Sequence, residues 1–292
     1  MAGSTSKRIP YEIVYGLRLS LESWITKNAI ITTAISPDFR SGFYFQGVNP
    51  NFNNLTKAYL NIEINQELVQ ISLPQIYRHR PLYNIPLYHE LGHFLDTHHQ
   101  ITKVSLLLHD LNTSLPSLDP KTFDQNMLNF VQTHHRMEYF ADLYATSYIG
   151  AAYHDFLKSF ADGAAFSYTH PATQDRLTLI NKFLSGHPDP IFDMFASALK
   201  ALNLPELKIY HIKPNVDDCF DNFRPYPIAS DNEVHGIFTA AWEYLEKTLA
   251  NPQGMWKSLR ENQIEKIINN LVEKSIRNRM VTERWKNGSS NA

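Results

Sequence analysis

His89-Glu90-Leu91-Gly92-His93 lies inside the stretch Asn84-Ile-Pro-Leu-Tyr-His-Glu-Leu-Gly-His-Phe-Leu-Asp96. Asn84 is suited to capping a helix and Pro86 to its first turn, so the spacing predicts a helix here. Residues four apart on a helix share a face, so both imidazoles can reach the same ion. Glu90 sits beside them, placed to reach a metal-bound water without being a ligand. The chain has 292 residues, 13 histidines and one cysteine, Cys219. A lone cysteine excludes an intramolecular disulfide framework and a cysteine-based zinc cage. Any metal is therefore held through nitrogen and oxygen.

Two histidines leave a zinc site incomplete, because catalytic sites usually have three protein ligands and a water. Two candidates for the third ligand compete. His99 lies ten residues after His89, which is the metzincin spacing, but Asp96 stands where metzincins place the glycine that lets the chain turn back. The other is Glu138, in Glu138-Tyr-Phe-Ala-Asp142. There Glu138 and Asp142 share a helix face, and small Ala141 and Ala145 allow another helix to come close. Glu138 would complete a His₂Glu set, and Asp142 would accept the second ring N–H of a ligand histidine. Of the two, Glu138 is favoured. Further on, Ser167-Tyr-Thr-His170-Pro-Ala-Thr-Gln-Asp-Arg176 supplies two donors, His170 and Arg176, suited to an oxyanion.

Apolar spacing through Ile13, Leu17, Leu21 and Trp24 predicts a helix within residues 10–30, followed by a loop from Ser36 to Asn54 with an aromatic strand at Phe43–Phe45. Alternation predicts strands at Tyr59–Ile64 and Leu68–Leu73. Residues 109–122 read as loop, and a long helix is expected from Asp124 to Gly150, with Met127, Phe130, Val131, Phe140 and Tyr144 on its apolar faces. The last hundred residues read as mostly helical, with a capping box at Ser230 and Glu233 and an apolar stripe over Ile264–Ile276. Three regions are expected: 1–57 as N-terminal helix and loop, 58–185 as the core carrying the motifs, and 186–292 as a helical region.

Together, HELGH, Glu-x-x-Ala-Asp and Thr-His-Pro-x-x-x-x-Arg resemble the gluzincin metallopeptidases of the HtpX/Oma and CaaX-protease type, over about residues 58–180. The first two motifs are also similar to the soluble ImmA/IrrE-type proteases. The resemblance implies an α+β, zincin-like catalytic domain, in which a small sheet with an edge strand packs on the HExxH helix and a glutamate-bearing helix. It implies Zn²⁺ as cofactor, His89, His93 and Glu138 as its ligands, Glu90 as general base and Asp142 behind the ligands. His170 would stabilise the tetrahedral intermediate, and Arg176 would help hold substrate or that part of the site. Many gluzincins of this type are membrane-embedded.

This chain has no apolar run of the roughly 18 residues a membrane span needs, and Met1–Pro10 lacks the apolar stretch of a secretory signal. A cytoplasmic protein is expected. A formal net charge of −2, with 19% charged residues, lacks the basic footprint of a nucleic-acid binder, so none is expected as partner. The expected activity is a zinc metalloendopeptidase hydrolysing peptide bonds of a specific cytoplasmic protein, a protein or peptide substrate that would pair with the strand Tyr59–Ile64. The alternative is a non-catalytic zincin-fold sensor or scaffold that binds a partner through its helical C-terminal half. His98, His134 and His135 read as exposed or supporting side chains, and Cys219 as a small buried one. Eight Lys/Arg against four Glu from Lys257 onward read as a solvated helix face.

Overall fold

The structure, a computed structural model, describes residues 11–25, 29–36, 43–47, 51–63, 67–109 and 124–289. Its class is α+β: eleven α-helices among the described residues and one three-stranded sheet. The chain forms two compact units, one of residues 1–87 with 212–292 and the other of 88–211. These divisions fall elsewhere than the sequence boundaries at 57/58 and 185/186.

In the first unit, α1 (Tyr11–Leu21) buries Ile13, Leu17 and Leu21 along one face. β1 (Ala29–Ser36), β2 (Tyr44–Gly47) and β3 (Glu67–Pro74) form a sheet in the order β1-β3-β2. β1 runs parallel to β3 with Ile31 opposite Val69, and β2 runs antiparallel with Phe45 opposite Ile71. β3 is the strand expected at Leu68–Leu73, and Val69, Ile71 and Leu73 on it are buried. β1 is rich in β-branched Ile and Thr, which favour a pleated surface, yet its residues 29 and 30 fell inside the segment expected to be helical.

No strand forms at Tyr59–Ile64. Tyr59 and Leu60 end α2 (Asn51–Leu60), residues 61–63 are neither helix nor strand, and Ile64 lies outside the described residues. The apolar positions Phe52, Leu55 and Tyr59 follow a helical spacing, and this longer pattern overrides the short alternation of Leu60 and Ile62. Tyr59 is 81% exposed, which no half-buried strand residue would be. The expected pairing of a substrate with this segment therefore has no strand to rest on.

The same unit contains α9 (Asp217–Asp221), α10 (Asp231–Ala250) and α11 (Glu261–Ser289). Ser230 caps α10 by accepting from Glu233 N, and the Glu233 carboxylate accepts in return from Ala229 N at 2.7 Å. The expected stripe of α11 is present: Ile264, Ile268, Leu271, Val272 and Ile276 are buried. Its basic side chains are partly engaged within the unit. Arg277 donates to Glu12 at 2.7 Å, and Arg279 pairs with Asp231 at 3.0 Å. Cys219, on α9, is half-buried and not fully enclosed.

The second unit is helical. α3 (Pro86–His99) supplies most of its length to it and is followed by α4 (Ile101–Leu108), α5 (Gln125–Ile149), α6 (Ala151–Ala161), α7 (Thr173–Ser185) and α8 (Pro190–Ala201). α3 begins at Pro86 as expected, but Asn84 does not cap it. Asn84 lies in a preceding 3-10 turn, where its amide donates to Tyr77 O at 3.0 Å. The loop expected at 109–122 lies, except for His109, outside the described residues.

α5 matches the expected helix closely. Asp124 caps it by accepting from Met127 N at 2.8 Å, and Gly150 ends it at φ +68°, a conformation glycine adopts without strain. From Val131 on its apolar face is core, with Phe140, Leu143 and Tyr144 fully buried; Met127 and Phe130 near the start are exposed. Because α5 is buried over most of its last five turns, polar side chains there must find partners inside the protein.

Candidate metal centre

The centre is assembled from α3 and α5. Gly92 permits it: a Cβ placed there would stand 2.7 Å from Ala141 Cα, closer than side chains pack. The small residue at 141, noted in the sequence, and the glycine inside HELGH are therefore two halves of one helix contact. Through it the face carrying His89 and His93 meets the face carrying Glu138 and Asp142.

The result is a group of three side chains whose ligand atoms all lie within 4.8 Å of one another: His89, His93 and Glu138. His89 Nε2 and His93 Nε2 are 3.0 Å apart, with the two rings nearly perpendicular. Glu138 Oε2 lies 3.4 Å from His89 Nε2, and Glu138 Oε1 lies 3.3 Å from His93 Nε2. His89 and Glu138 are buried, and His93 is half-buried.

These residues fit a metal. A tetrahedral ion with bonds of about 2.0–2.1 Å holds its ligand atoms roughly 3.3 Å apart, close to the three separations found. Glu138 Oε2 is buried and meets its neighbours only at longer range, His89 Nε2 at 3.4 Å and the Arg176 guanidinium at 3.3 Å, so its lone pairs are open to a bound ion. A His₂Glu donor set suits a borderline ion such as zinc.

Behind this group stands an ion pair with no exposure on Asp142. Arg176, in the first turn of α7, donates from Nε to Asp142 Oδ2 at 2.7 Å and from Nη2 to Oδ1 at 2.6 Å. The same Nη2 stands 3.3 Å from Glu138 Oε2. Burial alone would raise the Asp142 pKa, but Arg176, and then His89, hold it at about 2. Glu138 is likewise kept well below the ordinary carboxylate range: burial opposes this, and hydrogen bonds from His89 and His93 outweigh it. Burial pushes the His89 pKa down, but Asp142 and Glu138 reverse that and lift it to about 9.

His170 reaches the centre from a turn, with Nε2 3.4 Å from Glu138 Oε1 and its side chain 56% exposed. The turn is closed by Ser167 N donating to His170 O at 2.9 Å and by His170 N donating to Ser167 Oγ at 3.0 Å. His135, buried on α5, donates from Nε2 to Ser167 O at 2.8 Å and so ties that turn to the helix bearing Glu138. Of the neighbouring histidines, then, His135 has a structural task, while His98 is exposed.

The structure thus brings five residues singled out in the sequence into one cluster: His89, His93, Glu138, Asp142 and Arg176, with His170 at its edge. Glu90 lies on α3 next to His89 and is half-buried. Arg176 turns inward to Asp142 and Glu138, so it holds the site together and does not present its guanidinium to solvent. Tyr153, on α6, escaped the sequence reading. Its hydroxyl donates to Asp142 Oδ1 at 2.6 Å and lies 2.9 Å from His89 Nδ1. The only signal around it was an apolar run, Leu143–Tyr153, which reads as core.

His99 is not part of the cluster. α3 continues without a break through Asp96 to His99, which puts His99 about 9 Å farther along the axis than His93 at 1.5 Å per residue. Asp96 is instead buried and accepts from Thr102 N at 2.6 Å, stabilising the start of α4.

The chain matches no family model, no curated protein and no solved structure. Among the described residues no helix is long and apolar enough to cross a membrane.

Proposed function

We propose that the protein is a zinc-dependent metalloendopeptidase with a zincin-like catalytic site. The observation that carries this reading is the His89–His93–Glu138 group, whose separations suit a tetrahedral ion and whose two histidines flank Glu90 in the order HExxH. A bound zinc ion would act as a Lewis acid on the scissile carbonyl and bring a bound water towards a pKa of about 7.

The remaining tasks fall to the chain's own residues. Glu90 accepts the proton of the attacking water on its carboxylate and passes it to the leaving amine. It does not ligate, because the third ligand position is taken by Glu138. His170 is the exposed donor at the rim, where it can bind the oxygen that gains charge as the carbonyl is attacked. Arg176 and Asp142 keep Glu138 and His89 in place beneath. An intact base beside the ligands supports an enzyme over a scaffold, since a scaffold needs no proton acceptor there.

The test is zinc content together with cleavage of a denatured protein mixture by wild type and Glu90→Gln. Zinc is expected in both at one per chain, with cleavage by wild type only. Zinc in both with cleavage by neither overturns the reading.

A further inference from the structure

We propose that Tyr153 is a positioning residue of the metal centre, whose hydroxyl fixes the ring tautomer and orientation of His89. The inference rests on the metal reading of the His89–His93–Glu138 group.

The hydroxyl has one proton, and its destination is settled by the network. Asp142 has no exposure and accepts from Arg176 through both oxygens, and the Tyr153 OH to Oδ1 distance of 2.6 Å is that of a charge-assisted hydrogen bond. With its O–H donated to Asp142, the Tyr153 oxygen offers only lone pairs to its other neighbours. These are Arg176 Nη2 at 3.3 Å and His89 Nδ1 at 2.9 Å. His89 Nδ1 also faces Asp142 Oδ1 at 3.0 Å, a second acceptor. Two acceptors and no donor at Nδ1 place the ring proton there. Nε2, which points at His93 and Glu138, is then the nitrogen that gives up its proton and offers its lone pair when an ion binds.

The Tyr153 ring adds a second restraint. It lies nearly parallel to the His89 ring, at 17° and 5.9 Å between centroids. Rotation of the imidazole about its Cβ–Cγ bond is therefore opposed both by the plane of the phenol and by the hydrogen bond at Nδ1. Arg176 completes the unit by holding Asp142 through both oxygens. Outer partners of this kind typically account for about 10–100-fold in metal affinity.

The experiment compares wild type, Tyr153→Phe, Asp142→Asn and the double variant by Zn²⁺ competition against a chromophoric chelator. Tyr153→Phe keeps the ring and is expected to bind one zinc with roughly 10–100-fold lower affinity. The double variant is expected to lose less than the product of the single losses, because both residues act on one imidazole. A Tyr153→Phe affinity within about twofold of wild type, or strictly multiplicative losses, would overturn the proposal. Long-range ¹H–¹⁵N correlations of His89 in zinc-loaded wild type test it without any variant. A protonated Nδ1 is expected, and zinc on Nδ1 with a protonated Nε2 overturns it. Failure of wild type to bind zinc refutes the metal reading itself and is distinguished by that control.

Discussion

Gly92 on α3 and Ala141 on α5 meet with no room for a further carbon between them: a Cβ on Gly92 would be 2.7 Å from Ala141 Cα and 3.2 Å from Ala141 Cβ. The atom that would be struck first is backbone, which cannot rotate aside. The separation of α3 and α5 is thus set by the absence of a side chain at position 92.

Gly92→Ala should therefore push α3 and α5 apart. Overpacking of this kind costs about 1–3 kcal/mol, read as a lower midpoint in urea unfolding. The same displacement moves His89 and His93 away from Glu138, so zinc affinity should fall along with stability. Unchanged zinc affinity in a folded Gly92→Ala protein would show that the helix contact does not set the geometry of the centre.

A comparable contact in the first unit has no ligand nearby and serves as a contrast. A Cβ on Gly236 of α10 would overlap the carbonyl of Ile212, whose own N–H donates to Asn232 O at 3.0 Å. Gly236→Ala should destabilise by about 1–3 kcal/mol or more through the same overpacking. Zinc affinity of the folded fraction, measured below the unfolding transition, should stay at the wild-type value.

Zinc itself should stabilise the protein, because the three ligands come from helices that only folding brings together. At a free concentration a hundred times the Kd, binding adds about 2.7 kcal/mol to the unfolding free energy. Thermal unfolding should accordingly move up on addition of Zn²⁺ and down with a chelator, whereas Mg²⁺, which prefers oxygen ligands, should leave it where it was. Equal midpoints with and without Zn²⁺ would count against a folded-state site.

The grouping of His89, His93 and Glu138 was legible in the sequence because helical spacing is a local property. His89 and His93 at i and i+4, and Glu138 and Asp142 at the same spacing, need only a helix to share a face. The long helix was legible for the same reason, with Asp124 and Gly150 marking its ends. Tyr153 was not, because its role arises from an approach between α6 and α5 that leaves no periodic trace. An aromatic in an apolar run looks like core, and by its burial it is core; only its hydroxyl differs. The segment 59–64 failed for the opposite reason. Two periods overlap there, and the alternation covered too few residues to outweigh the helical spacing that starts at Phe52.

Asp96 shows how a departure from a pattern can have its own structural cause. It is buried and accepts from Thr102 N at 2.6 Å, after Gln100 has turned the chain at φ +55°. Asp96→Ala removes that acceptor and leaves a helix-start N–H without it, at a cost of about 0.5–2 kcal/mol. Denaturant unfolding should show the loss. Zinc content at saturating metal should remain one per chain, since Asp96 supplies no ligand.

The choice of third ligand is open to a direct comparison. His99 would have to swing back across α3 to reach His89 and His93, and the helix runs on through it without the turn that requires. Glu138 is already there, 3.3 Å from His93 Nε2 and 3.4 Å from His89 Nε2, held low in pKa and backed by Arg176. Glu138→Ala should therefore lose tightly bound zinc, leaving two histidines that hold an ion far more weakly. It should also leave Arg176 with one carboxylate, Asp142, in place of two. His99→Ala should retain zinc at one per chain with an affinity close to wild type. Zinc retained in Glu138→Ala and lost in His99→Ala would reverse the assignment, and would require α3 to break near Asp96 when metal binds.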